Sequence, residues 1–277
     1  MGTEFVIDCG SRSIKLHEAG PNKAHLRATR SWDPINDACH ADRVGALFME
    51  LSENLPAVAA VHVVGTAAAR RNAAVASAIA EACRAFGWSY ETLSQEREAA
   101  LIRQAFSGRE DCDVVNAGGG SIQIVEPAGE ATLLTFGISD LNREFGLAGP
   151  PHERRVSEAT AYIAACLPDL QRPFVYSGGE LSYLRAFGAR TSTGGRCAAD
   201  EFHRVADRVD RMEADELARL SPFDAGWTSG AIASNAIVRA CLLRNEADFY
   251  YASDVNIGDG VMSLLARRSR NAADARL

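Results

Sequence analysis

Two short glycine- and serine-rich segments carry the clearest chemical signal in the sequence: Gly10-Ser11-Arg12-Ser13 and Gly118-Gly119-Gly120-Ser121. Backbone N–H groups in a tight turn of this composition converge on one point and bind anions. The first segment adds the hydroxyls of Ser11 and Ser13. The second is nearly bare backbone, which a phosphate can approach closely. A single glycine turn is weak evidence, because turns need glycine anyway. Here the same setting occurs twice: a short apolar run, a polar residue, the turn, then a second apolar run. The matching residues, Asp8 and Asn116, stand 108 positions apart. Arg12 brings positive charge to the first loop. Lys15 either faces a phosphate or is the exposed residue of a hairpin.

The elements that must hold these loops follow from the apolar spacing. Glu4–Asp8 reads as a strand that meets a turn at Cys9-Gly10-Ser11, with Ser13–Glu18 as its hairpin partner and Ala24–Ser31 as a third strand. Helical spacing covers Asp42–Leu51, Asn72–Phe86 and Gln95–Phe106, with strands at Ala57–Val64 and Tyr90–Leu93 between them. The opening pattern then recurs at Val114–Ser121, followed by hairpin strands at Ile122–Val125 and Thr132–Thr135. Helices are expected at 138–146, 154–166, 199–208, 212–219 and 225–244. Further strands fall at Pro173–Tyr176, which ends in the glycine turn Ser177-Gly178-Gly179, and at Phe249–Ser253. Asn256–Ala266 closes the pattern. Strands alternating with helices give an α/β architecture. The duplicated unit implies two similar domains, 1–110 and 111–277, meeting at a cleft and divided at the polar stretch Ser107–Asp111; the last helix is free to pack back on the first domain.

Bulk properties exclude several classes. A chain of 277 residues with 47% hydrophobic and 23% charged residues is an ordinary globular protein. Its net charge of −7 argues against non-specific binding to nucleic acid or to membranes. A polyanionic substrate must therefore be held by a local basic site. The seven cysteines, Cys9, Cys39, Cys83, Cys112, Cys166, Cys197 and Cys241, form no C-x-x-C pair and are read as core filler in a reducing compartment. No basic-then-apolar leader opens the sequence and no apolar run reaches the ~18 residues of a membrane span, so a cytoplasmic protein is expected. The six histidines show no ligand spacing. Trp32, Trp88 and Trp227 read as core.

Taken in order, these motifs resemble the exopolyphosphatase/guanosine-pentaphosphate phosphohydrolase (Ppx/GppA) family, of the actin/hexokinase-like (ASKHA) superfamily. Asp8-Cys-Gly-Ser-Arg-Ser-Ile-Lys-Leu16 is similar to its first phosphate motif, and Val64-Gly-Thr-Ala-Ala-Ala-Arg70 to its strand ending in a threonine and a phosphate-binding arginine. Leu93–Ile102, Asn116–Val125, Phe136–Phe145, Val175–Leu184, Ser229–Ile237 and Gly258-Asp259-Gly260 are similar to its later segments. The resemblance spans nearly the whole chain. It implies two RNase H-like domains facing across a phosphate-binding cleft and a phosphatase acting on polyphosphate, guanosine pentaphosphate or a related nucleotide or phosphomonoester. It is compatible with a homodimer.

Residue roles follow from the resemblance alone. Glu98 matches the glutamate that activates the attacking water, with Glu96 as the alternative if the register shifts. Arg70 matches the arginine that grips phosphate, with Arg71 as its alternative. Asp8 matches the first-loop carboxylate that holds Mg²⁺. Gly10, Ser11, Arg12, Ser13, Lys15, Gly118, Gly119, Gly120 and Ser121 match phosphate-binding positions.

The sequence also departs from the pattern. Gln95 replaces a glycine, Arg97 a glutamate, and Glu180 a threonine after Gly178-Gly179. Most consequentially, Asn116 stands for the second-loop aspartate and Gln123 for a glutamate. Both substitutions keep shape and remove charge from a site that a hard cation would want anionic. The expectation is therefore an active phosphohydrolase with weak or displaced Mg²⁺, or one acting on a substrate that needs less metal. The alternative is a catalytically impaired phosphate or nucleotide sensor. A sugar-kinase-like activity on the same fold would need an aspartate base that no motif singles out.

Overall fold

The computed structural model describes residues 3–20, 25–32, 34, 40–56, 59–245 and 247–274; Ala24, Cys39, Ala57 and Val58, included in the readings above, lie outside them. The chain forms two compact units, Met1–Ala105 with Ile257–Leu277, and Phe106–Asn256.

In the first unit, β1 (Glu4–Cys9), β2 (Ser13–Glu18) and β3 (His25–Ser31) form an antiparallel meander. After α1 (His40–Ser52), β4 (Ala60–Gly65) lies parallel to the other side of β1. Two helices follow, α2 (Ala67–Arg71) and α3 (Ala73–Phe86). Then β5 (Ser89–Thr92) joins parallel to β4, and α4 (Gln95–Ala105) leaves it, giving the order β3-β2-β1-β4-β5. Phe5, Ile7 and Cys9 pack with Ile14 and Leu16 against Phe48 of α1 and Ile79 of α3. Val6 is buried as well, so β1 is apolar without interruption up to Asp8, as a strand covered on both faces must be. Asn72 caps α3 by accepting the Ala74 N–H at 2.9 Å, and Gly87 ends it in the left-handed conformation.

The second unit repeats this plan. β6 (Asp113–Ala117), β7 (Ile122–Val125) and β8 (Ala131–Leu134) form the meander. α5 (Ile138–Phe145), a 3₁₀ turn at Pro151–Glu153 and α6 (Val156–Cys166) lead to β9 (Phe174–Ser177), parallel to β6. α7 (Glu180–Ala186), β10 (Arg196–Ala198), α8 (Ala199–Val209) and α9 (Ala214–Leu220) follow. Next come α10 (Ala225–Thr228), α11 (Ala231–Leu243) and β11 (Phe249–Ala252), which is parallel to β9. The order β8-β7-β6-β9-β11-β10 is the first unit's order with one antiparallel edge strand added.

The helix α2 and the 3₁₀ turn at Pro151–Glu153 were not read from the sequence, and further readings change. The helix expected over 225–244 is two helices, because Gly230 and Ser229 interrupt it: the Gly230 N–H turns back to Trp227 O in a tight turn, and Gly230 then caps α11. The three-residue β10 carries too little periodicity to be read from sequence. No helix among the described residues is long and apolar enough to cross a membrane.

The last helix, α12 (Ile257–Asp274), belongs to the first unit, where it packs on α4 and across β1 and β2. Gln104 Nε2 donates to Ser263 Oγ at 3.2 Å across the α4–α12 contact. Gly260 sits where the helices come closest, and a Cβ there would overlap the carbonyl of Leu101. Helix propensity alone favours alanine over glycine by about 1 kcal/mol. Gly260→Ala is nevertheless expected to lower stability by roughly 1–3 kcal/mol, read as a drop in denaturation midpoint. A rise would show that the crossing relaxes freely.

Candidate functional site

β1, β4 and β5 are parallel, so their carboxyl ends share one edge of the first sheet, where ligands of open α/β sheets bind. Backbone hydrogen bonds stitch these ends together. The Thr66 N–H donates to Cys9 O at 3.2 Å, and the Leu93 N–H donates to Gly65 O at 2.9 Å.

At the end of β1 the first loop closes through the Gly10 N–H, which donates to Ser13 O at 3.0 Å. Trp32 braces it: Nε1 donates to Gly10 O at 2.7 Å and its backbone N–H to Arg12 O at 3.3 Å. Sequence reading had Trp32 only as core. Its role depends on a turn geometry that spacing does not reveal. Gly10, Ser11, Arg12, Ser13 and Lys15 are all half-buried. Asp8 is buried, paired across the strands with Lys15. Burial pushes its carboxyl above the ordinary range, and the Lys15 charge opposes that shift.

At the ends of β4 and β5 the structure brings Arg70 and Glu98 together. Arg70 Nη1 donates to Glu98 Oε1 at 2.5 Å and to Leu93 O at 2.8 Å. The Glu98 side chain is 4% exposed and that of Arg70 is 21% exposed, so the pair has a buried end and an open end. The alternatives sit differently. Glu96 is exposed, its carboxyl held below the ordinary range first by its own backbone N–H and then by Ser94, and Arg71 is exposed. Ser94 caps α4 by accepting the Arg97 N–H at 3.1 Å, which fixes the turn that points Glu98 inward.

The second loop is the first one's copy. The Gly118 N–H donates to Ser121 O at 2.9 Å, and Asn116 pairs with Gln123 as Asp8 does with Lys15. The start of α5 lies against it. The N–H groups of Ile138 and Ser139 donate to Gly118 O and Gly119 O at 2.9 and 2.8 Å. A side chain at Gly137 would collide with this loop. With both carbonyls drawn toward α5, the amides of Gly119 and Gly120 point the opposite way, since N–H and C=O oppose each other across a trans peptide.

The substituted positions form a chain of hydrogen bonds. Ser177 Oγ donates to Asn116 Oδ1 at 3.1 Å, Asn116 Nδ2 to Gln123 Oε1 at 2.6 Å, and Gln123 Nε2 to Ser121 Oγ at 3.0 Å. Ser177 joins because β9 places it opposite Asn116, a register that spacing alone does not give.

The third glycine turn does not present its amides in the same way. Gly178 N–H donates to Val255 O at 2.9 Å and Gly179 N–H to Ser253 O at 3.2 Å. Glu180 turns into the core, where Tyr250 O–H donates to its Oε1 at 2.5 Å.

Magnesium, implied by the resemblance, has one fitting ligand here. Asp8 Oδ1 is buried and has no hydrogen-bond partner among the described residues, as suits a carboxylate reserved for a cation. Mg²⁺ commonly uses one or two carboxylates, with water and substrate phosphate completing its shell. Among the described residues, no three His, Cys, Asp or Glu side chains gather as a metal cage. Asn116 and Gln123 add no charge.

Two α/β units with the same strand order, each turning through a glycine loop after its first strand, give the chain an actin/hexokinase-like fold. The chain belongs to the Ppx/GppA phosphatase family, whose profile matches residues 38–261. None of the curated proteins compared by sequence matches it. Among solved structures it is similar to the Aquifex aeolicus member of the Ppx/GppA family (19% identity, TM-score 0.69, covering 97% of this chain and 98% of that one). It is similar also to an exopolyphosphatase from Cytophaga hutchinsonii (14%, 0.77, 95% and 97%). An exopolyphosphatase-like protein matches at 21% identity and a TM-score of 0.75, over 96% and 99%. At these identities the likeness establishes the fold.

Glu180 gives a pH test of the second unit. Burial pushes its carboxyl up to about 7, against the lowering effect of the Tyr250 hydrogen bond, with Asp254 adding to the rise. The folded state therefore keeps a proton that the unfolded chain releases near 4.5, and stability falls as pH rises between these values. Thermal melts from pH 5 to pH 8 should show wild type losing more stability than Glu180→Gln, which keeps an acceptor for Tyr250. Parallel curves would contradict the assignment.

Proposed function

We propose that this protein is a phosphohydrolase that releases terminal phosphate from polyphosphate, guanosine pentaphosphate or a related nucleotide or phosphomonoester. The observation that carries this reading is the Arg70–Glu98 pair at the carboxyl edge of the first sheet. Arg70 fixes one oxygen of the Glu98 carboxylate and leaves the group oriented to accept a proton. A water held by Glu98 attacks the terminal phosphorus, the bridging P–O bond breaks in line, and the water proton passes to the carboxylate. The phosphate chain leaves one unit shorter. The open side of the Arg70 guanidinium is suited to the charge that gathers on the equatorial oxygens. In the first loop Ser11, Arg12, Ser13 and Lys15, and in the second the Gly119 amide turned away from α5, offer donors to phosphoryl oxygens. Asp8 is the residue that would hold Mg²⁺, which supplies charge neutralisation at those oxygens when bound.

One observation favours a second reading. The neutral Ser177–Asn116–Gln123–Ser121 chain occupies the place where the resemblance expects two carboxylates, as in a member that retains the loops and senses a phosphorylated ligand without hydrolysing it.

Phosphate release with Mg²⁺ from polyphosphate, guanosine pentaphosphate and a panel of nucleotides and phosphomonoesters separates the two. Glu98→Ala is expected to lower release by roughly 100-fold or more, the scale of a lost general base, while Glu96→Ala stays close to wild type. Unchanged release in Glu98→Ala would remove the proposed mechanism. Binding with no release from any compound would favour the sensor.

A further inference from the structure

A cavity of about 150 Å³ opens in the second unit between α9, the turn that follows α5 and the first turn of α11. Leu147, Leu217 and Ile232 form its buried floor. Ala148, Ala214 and Ala218 are exposed at its mouth. Ala214 and Ala218 stand one turn apart on α9, on the same side as Leu217, and their small side chains leave the space open. Protein interiors otherwise pack without such voids. A cavity of this size with apolar walls holds one benzene-sized molecule.

One guanidinium lines this apolar space. Arg154 is held by two main-chain acceptors: Nε donates to Gly149 O at 2.8 Å and Nη1 to Asp210 O at 2.7 Å. Its Nη2 has no hydrogen-bond partner among the described residues, so a fixed side chain keeps a donor to offer. Burial lowers the guanidinium pKa from its usual value, and Asp210 and Glu213 act against that fall. Asp210 is itself paired with Arg239 at 2.7 Å. Glu213 therefore offsets the Arg154 charge, and Asp215 adds a second carboxylate at the cavity wall. An incoming anion would meet one cation and two carboxylates. A cation would lie against a guanidinium. A neutral acceptor, such as a carbonyl oxygen, takes the Nη2 proton and brings no charge.

We propose that this cavity binds one small, uncharged, mainly apolar molecule, through a single acceptor oxygen bonded to Arg154 Nη2. Leu147, Leu217 and Ile232 take its hydrocarbon part out of water, and the fixed guanidinium sets its orientation. The site is independent of the phosphate chemistry, since none of the residues assigned to phosphate, water activation or Mg²⁺ lines it.

The test is an NMR titration of the full chain, labelled at its leucine and isoleucine methyls, with cyclohexanone and with cyclohexanecarboxylate. Cyclohexanone is expected to shift the methyls of Leu147, Leu217 and Ile232 and to saturate. Cyclohexanecarboxylate should bind roughly tenfold more weakly or worse, because its charge must leave water without a free counter-ion. Ala218→Phe, on the exposed side of α9, should fill the mouth and abolish binding while the protein stays folded. Arg154→Met should weaken cyclohexanone by roughly tenfold or more, the scale of a lost hydrogen bond to a charged group. Arg154 also supports two carbonyls, so Ala218→Phe keeps the test decisive if Arg154→Met does not fold. Wild-type shifts that never saturate would overturn the inference, as would a carboxylate that binds as tightly as the ketone. So would a folded Ala218→Phe or Arg154→Met that binds cyclohexanone like wild type.

Discussion

A carboxylate buried as deeply as Glu98 requires a partner, and its partner is Arg70. The pair joins two helices that leave different strands of the first sheet, so it exists only if β4 and β5 lie side by side and parallel. It also requires α2 to begin at once after Gly65 and α4 after Leu93. The backbone links between Cys9, Thr66, Gly65 and Leu93 set that spacing, and Arg70 completes it by donating to Leu93 O. The same interaction therefore ties the sheet's carboxyl edge together and orients the one buried carboxylate on α4. Behind α4, the helix α12 packs closely enough that Gly260 admits no side chain.

The second unit uses the same backbone plan with different side-chain chemistry. Its loop closes through the same hydrogen bond, Gly118 N–H to Ser121 O, that closes the first loop between Gly10 and Ser13. In the first unit a charged pair lies beside that bond, and in the second a neutral, polarised chain of amides and hydroxyls. Duplication of a supersecondary unit preserves the backbone hydrogen bonds that shape the turn, because every residue carries them. The side chains beside the turn are unconstrained by that shape, and there the two halves diverge.

Much of this was legible in the sequence. Apolar runs that stop at Asp8 and Asn116 gave the strands, and the glycines after them gave the turns. The 108-residue offset between them anticipated two similar units, whose sheets share one strand order. What stayed hidden depended on register and close approach. Nothing in the spacing shows that Trp32 would brace Gly10, that Ser177 would reach Asn116, or that Gly137 and Gly260 stand where backbones nearly touch. The break at Gly230 was missed because the apolar pattern continues on both sides of it. The Arg70–Glu98 contact spans 28 positions, with α3 and β5 between its two helices; resemblance named both residues, and only the folded edge joins them.

The most direct measurement is a double-mutant cycle on phosphate release from polyphosphate, using Arg70→Ala, Glu98→Ala and the double variant. If the pair acts as one unit, each single change costs about as much as both together, and the double variant is no slower than the worse single one. Losses that multiply would show two independent residues. A wild-type protein that releases no phosphate, or singles that match it, would contradict a catalytic role for the pair altogether.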